Sequence, residues 1–117
     1  MFAHKMLVVE SDWLYCSLDQ HQRCQLVTDN QLHSFTGALQ QTDLHNIAKE
    51  LHFSSSVLER CRTSEPHSVP LQAFQLLSDW VVNEGGDATV NNFVLRMRNA
   101  EIADDIIKSA VLEDCTQ

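Results

Sequence analysis

Glycine and proline are scarce in this chain: three glycines and two prolines punctuate 117 residues. So few breakers leave long stretches free to stay helical. No run alternates apolar and polar residues with the period of two that a half-buried strand needs. Cations are scarce too. Eight residues are Lys or Arg against sixteen Asp or Glu, for a formal net charge of −8. That balance excludes the broad basic surface that displaces counterions from nucleic-acid phosphates. It favours solubility and basic partner surfaces instead. Long apolar runs are missing, and the start, MFAHKMLVVESD, turns polar after a few residues. Neither a membrane span nor a secretory signal is expected. No CxxC pair occurs among Cys16, Cys24, Cys61 and Cys115. The four are read as reduced thiols of a cytoplasmic protein.

What the chain does have is apolar residues at helical spacing. They make up 44% of it, enough for one compact domain with a core. Residues 1–25 are the least legible: Leu7, Trp13, Leu14 and Leu18 make a loose helical face, with Ser11 or Asp12 as its start. From about Asn30 the stripes sharpen. Leu32, Phe35 and Leu39 share one face, and Leu44, Ile47, Ala48 and Leu51 the next, with Thr42 and Asp43 as candidate N-caps. Ser56 and Glu59 fit a capping box for a short helix carrying Val57, Leu58 and Cys61, which Pro66 stops. Pro70 suits the first turn of a helix carrying Leu71, Phe74, Leu77 and Val81, widened by Leu76 and Trp80. Gly85 or Gly86 can end that helix, and Asp87 or Thr89 can start the next, with Val90, Phe93, Val94 and Met97 on one face. Arg96 and Arg98 suit its last turn, and Asn99 is its expected break. A final stripe runs through Ala103, Ile106, Ile107 and Ala110, with Ile102 beside it. Six helices between about residues 30 and 112, each too short to be stable alone, predict an all-α globule held by a shared core.

The chemical motifs are weak. The corner LSDWVVNEGGDATV has no lysine, follows a helix rather than a strand, and places Asp87 where a phosphate loop wants bare N–H groups. It reads as a helix end and a helix start back to back. Cys16, His21 and Cys24 offer three ligands in one stretch, but structural zinc wants four and no second pair follows. A small metal-binding protein is therefore the lesser alternative. His33, His45 and His52 are scattered among polar neighbours. No G-x-S-x-G or similar nucleophile signature occurs. The helices are not basic enough to read DNA. No enzyme, cofactor or metal is expected.

Two stretches then resemble a known family. DLHNIAKELHFSSSVLERC resembles the death-domain pattern W-x-x-L-A-x-x-L, followed by a short polar turn and a small third helix. Ile47, Ala48 and Leu51 match, while Leu44 stands where the family often has tryptophan. LLSDWVVNEGGDATVNNFVLRMR resembles the family's L-L-x-x-W…A-T-x-x-x-L-x-x-x-L-R segment. Leu76, Leu77, Trp80, Ala88, Thr89, Leu95 and Arg96 match; Phe93 stands near the place of the family's usual leucine after A-T. The ending LRMRNAEIADDIIKS is similar to the family's adaptor members.

The resemblance covers about residues 28–112, with 1–27 as an extension or linker that has room for an extra helix and 113–117 as a tail. It implies a six-helix antiparallel bundle of Greek-key type without catalysis. Its partner would be the death domain of a receptor or another adaptor. An initiator caspase would be reached through a separate effector domain, of which residues 1–25 are too short to be a complete copy. Nucleic acid and membrane are not expected partners. A death domain of a kinase or a Toll-pathway adaptor shares the same core motif and stays open. Family contacts often come from the second and third helices and from loops around the fourth and fifth. Carried onto this chain, the candidates are Lys49, Arg60, Arg62, Asp79, Glu84, Asp87, Arg96, Arg98, Asp104 and Asp105. Arg60 and Arg62 are read as one compact basic spot on an acidic chain. The expected core is Leu44, Ile47, Leu51, Leu58, Phe74, Leu77, Trp80, Val90, Phe93, Val94, Met97 and Ile106.

Overall fold

The computed structural model describes residues 12–115. Leu7 and Ser11, expected at the start of an N-terminal helix, lie outside the described residues, as do the last two residues of the tail. Among the described residues eight α-helices follow one another: α1 (Trp13–Ser17), α2 (Gln20–Cys24), α3 (Asp29–Thr36), α4 (Gln41–Glu50), α5 (Ser55–Ser64), α6 (Val69–Glu84), α7 (Val90–Asn99) and α8 (Asp104–Cys115). A single 3₁₀ turn, Gly85–Asp87, joins α6 to α7. The described residues form no sheet; one isolated antiparallel bridge links Leu26 to Thr89.

The last six helices are those the apolar stripes predict. Several of their caps fall elsewhere. At α4 the N-cap is Gln40, and Asp43 sits inside the first turn, where its carboxylate accepts from the Gln40 N–H at 2.9 Å. At α5 the cap is Ser54, which accepts from the Val57 N–H at 3.4 Å, so the Ser56–Glu59 box does not form. Asp87 ends the 3₁₀ turn rather than capping α7. Thr89 does that, accepting from the Asn92 N–H at 3.1 Å. Loss of the Thr89 cap has a readable cost: Thr89→Ala should lower stability by about 1 kcal/mol in a urea titration. Gly85 ends α6 at φ 59°, a region side chains rarely adopt.

The stripes meet in one core. α3 packs on α6 and α8, α5 on α6, α4 on α6 and α7, and α7 on α8. Phe93 is its hub, edge-on to Phe35 with centroids 5.0 Å apart and tilted against Trp80 at 6.3 Å. Leu44, Ile47, Leu58, Leu77, Trp80, Val90, Phe93, Val94 and Met97 are buried. Leu51, Phe74 and Ile106 are instead half-buried against the rim of that core. Ile107 takes the central place on α8, and Phe74 stacks on the exposed His33 ring at 3.9 Å. Leu71, read as part of the α6 stripe, is exposed.

Residues 12–27 do not trail away from this bundle. Leu14, Leu18 and Val27 are buried in its core. Asp12 starts α1 by accepting from the Leu14 N–H at 3.1 Å. Asp19 starts α2 through a capping box with Gln22.

Candidate interaction surface

Arg98 stands in the last turn of α7 and Asp104 in the first turn of α8. The corner between them is tight enough to hold Glu101 at a positive φ of 64°. It turns Arg98 back on Asp104, with Nε donating to Oδ1 at 3.1 Å. Both terminal nitrogens of Arg98 donate to the two carboxylate oxygens of Asp12, each at 2.6 Å. This is the forked geometry that makes arginine–carboxylate pairs strong. The Trp13 indole N–H donates to Asp104 Oδ2 at 2.6 Å, and the Arg98 guanidinium lies 5.5 Å from the centre of the Trp13 ring. Hydrogen bonding to Arg98 holds the Asp12 carboxyl below its usual range, against a smaller opposing effect of burial. The same bond raises the Arg98 guanidinium further. Two of the ten charged candidates are therefore engaged within the chain. Their partners, Asp12 and Trp13, carry no local sequence signal for this role, because they lie 86 and 91 residues away.

Three further arginines are also paired. Arg96 donates to Glu50 Oε2 at 3.2 Å across the α4–α7 contact, and Asn99 reaches the same oxygen at 3.3 Å. Arg60 pairs with Asp79 of α6 at 3.3 Å, and Arg62 with Glu59 at 3.7 Å. Arg60 and Arg62 are not one basic spot. Two positions along a helix turn through about 200°, so Arg60 faces α6 while Arg62 turns to the other side of α5. Arg60 is the more exposed of the two, at 62% against 35%. Beside it, Phe53, Val57, Asp79, Val82 and Asn83 line a shallow groove in which Val82 is 78% exposed. Lys49 and Asp105 are exposed on α4 and α8.

Glu84 and Asp87 flank a second shallow cleft of about 370 Å³ at the α6–α7 corner, with Trp80, Leu95 and Arg96 on its walls. Neither carboxylate has an ion-pair partner among the described residues. The buried Trp80 indole N–H has no acceptor among the described residues.

Cys24 is exposed and Cys61 buried. Burial, helped by the Asp79 charge, pushes the Cys61 thiol up, away from the reactive thiolate. Among the described residues no group of three His, Cys, Asp or Glu side chains is arranged to hold a metal ion. Nor is any described helix long and apolar enough to cross a membrane.

The surface thus offers paired charges and shallow grooves on a rigid helical frame. The death-domain family model matches residues 29–109, most of the chain from α3 into α8, and the chain belongs to the death-domain family. No curated protein and no solved structure shows significant similarity to it. Death domains are non-catalytic modules that bind other death domains, and the all-α bundle described above is of that kind.

Proposed function

We propose that this chain is the death domain of a signalling adaptor, joining an upstream receptor or adaptor to an initiator caspase in apoptotic or innate immune signalling. The observation that carries the reading is the match over residues 29–109 on a six-helix bundle. The closing segment LRMRNAEIADDIIKS supports a finer likeness, to FADD, the Fas-associated death-domain adaptor. The caspase contact would run through a separate effector domain, and the work would be done in the cytoplasm.

Arg60 is the best partner contact of the original ten. It is the most exposed of the paired arginines, it borders a shallow groove of mixed polarity, and its link to Asp79 is a surface pair of small energetic weight. A basic side chain beside the exposed Val82 suits an acidic face on a second death domain. Arg60→Glu should therefore abolish capture of a death-domain partner in a pull-down, with Tm within a few degrees of wild type. Arg62→Glu should weaken capture less, because its side chain is turned away from that groove. Equal capture by the Arg60 variant and the wild type would remove α5 from the interface.

A further inference from the structure

Residues 12–27 lie before the family-matched part of the chain, yet they are fastened to it at two points. One is the Asp12–Trp13 contact with Arg98 and Asp104, at the C-terminal end of α7. The other is at its N-terminal end. There the Val27 N–H donates to the Ala88 carbonyl at 2.9 Å, and the Val90 N–H donates to the Gln25 carbonyl at 2.8 Å. A ten-residue helix is about 15 Å long, so the segment runs the length of α7 in the opposite direction. Between the two ends, α2 packs on α7 and α1 on α8. Leu14 and Leu18 are buried beneath them, and Arg23 ties the pair together by donating to the Leu18 carbonyl at 2.6 Å.

Helices of five residues do not hold themselves together in water. This segment keeps its shape because the bundle holds it, which makes it a ligand bound in cis. The side chains define its seat: a carboxylate in the fork of Arg98, an indole under that guanidinium and against Asp104, and two leucines four residues apart.

We infer that residues 12–27 form a strap, clamped by Arg98 and Asp104, that closes the α7 edge of the bundle to association with further death domains. While the strap is seated, the terminal nitrogens of Arg98 are taken up by Asp12 and the apolar floor under Leu14 and Leu18 is covered. Homotypic contacts are confined to the remaining faces, such as the one bearing Arg60. Release frees the Arg98 fork and the apolar floor, which an acidic surface of a second copy, on a chain of net charge −8, can meet. The closure rests on the homotypic reading above; the clamped strap does not.

The test uses the full chain with Asp12→Ala and Trp13→Ala combined, and Trp13→Phe as a milder variant that keeps the ring but loses the bond to Asp104. Hydrogen exchange over residues 14–27 should quicken roughly tenfold or more in the double variant, with α3 to α8 still protected. A fluorescent synthetic peptide of residues 12–27 should bind the double variant at least about tenfold more tightly than wild type. Light scattering should show the double variant self-associating where the wild type does not, and excess peptide should reverse this. Trp13→Phe should lie between the two, and it decides the matter if the double variant does not fold. Unchanged exchange over 14–27 would overturn the clamp. A released strap with unchanged self-association would overturn the closure and leave the segment a structural one. The homotypic reading falls separately, if neither the folded wild type nor the double variant captures another death domain, an outcome that leaves the strap standing. Association without peptide capture would do the reverse.

Discussion

Trp80→Ala should lower the stability of the domain by about 3–5 kcal/mol, the usual cost of emptying a large aromatic site in a core. Trp80 is 3% exposed and packs on Phe93, which in turn packs on Phe35. The cavity would open where α6 and α7 meet α3, and neighbouring helices are too closely seated to fill it. Native stabilities are commonly only about 5–15 kcal/mol, so the variant should be largely unfolded at 37 °C. Trp80→Phe provides the control. It keeps most of the apolar contact and removes a buried N–H that has no acceptor among the described residues, so its cost should be well below that of alanine. Denaturant titrations of both variants measure the difference. A folded alanine variant that only lost partner binding would make Trp80 an exposed hot spot rather than a core residue.

Arg98→Ala should be the most damaging surface-side change, at about 2–3 kcal/mol. The side chains of Arg98 and Asp12 are only 26% and 16% exposed, so their forked pair is poorly screened by solvent. Removing the arginine leaves the Asp12 carboxylate half-buried without its counter-charge. The bond to Asp104 adds less, because Asp104 is 53% exposed. The pH dependence follows from the directions of the shifts. Asp12 is held below its unfolded value, so its stabilisation is present above the ordinary carboxylate range and is lost as pH falls through its folded pKa. Arg98 is raised, so its share is complete at every pH below its unfolded value. The stability gap between wild type and Arg98→Ala should thus be flat from about pH 5 to 8 and close only in strong acid, below about pH 4. Chemical denaturation across that range checks it. A gap that closed near neutrality would mean that another group holds the clamp.

Helix existence was legible because a 3.6-residue period leaves a clear mark when ten or more residues carry it. Val90, Phe93, Val94 and Met97 are all buried on one face of α7. Cap identity was less legible. SSS at the start of α5 offers three hydroxyls, and Ser54 is the one that caps it. The interface candidates were least legible, since charge type does not reveal pairing. Arg60 and Arg62 look adjacent in sequence but are thrown apart by the helical turn. Arg98 and Asp104 look like exposed charges until Asp12 and Trp13 arrive from the other end of the chain. The strap itself is too short in each helix for a stripe to show. Its hold on the bundle is made of contacts that no local pattern encodes.

The central claim, that this chain works by binding other death domains, is tested most directly by what it captures. Purified wild-type chain and Arg60→Glu, both confirmed as folded, would be used as bait in a lysate and the retained proteins identified by mass spectrometry. The account predicts a death-domain protein held by the wild type and absent from the Arg60→Glu sample. Retention of no death-domain protein by the folded wild type would contradict it.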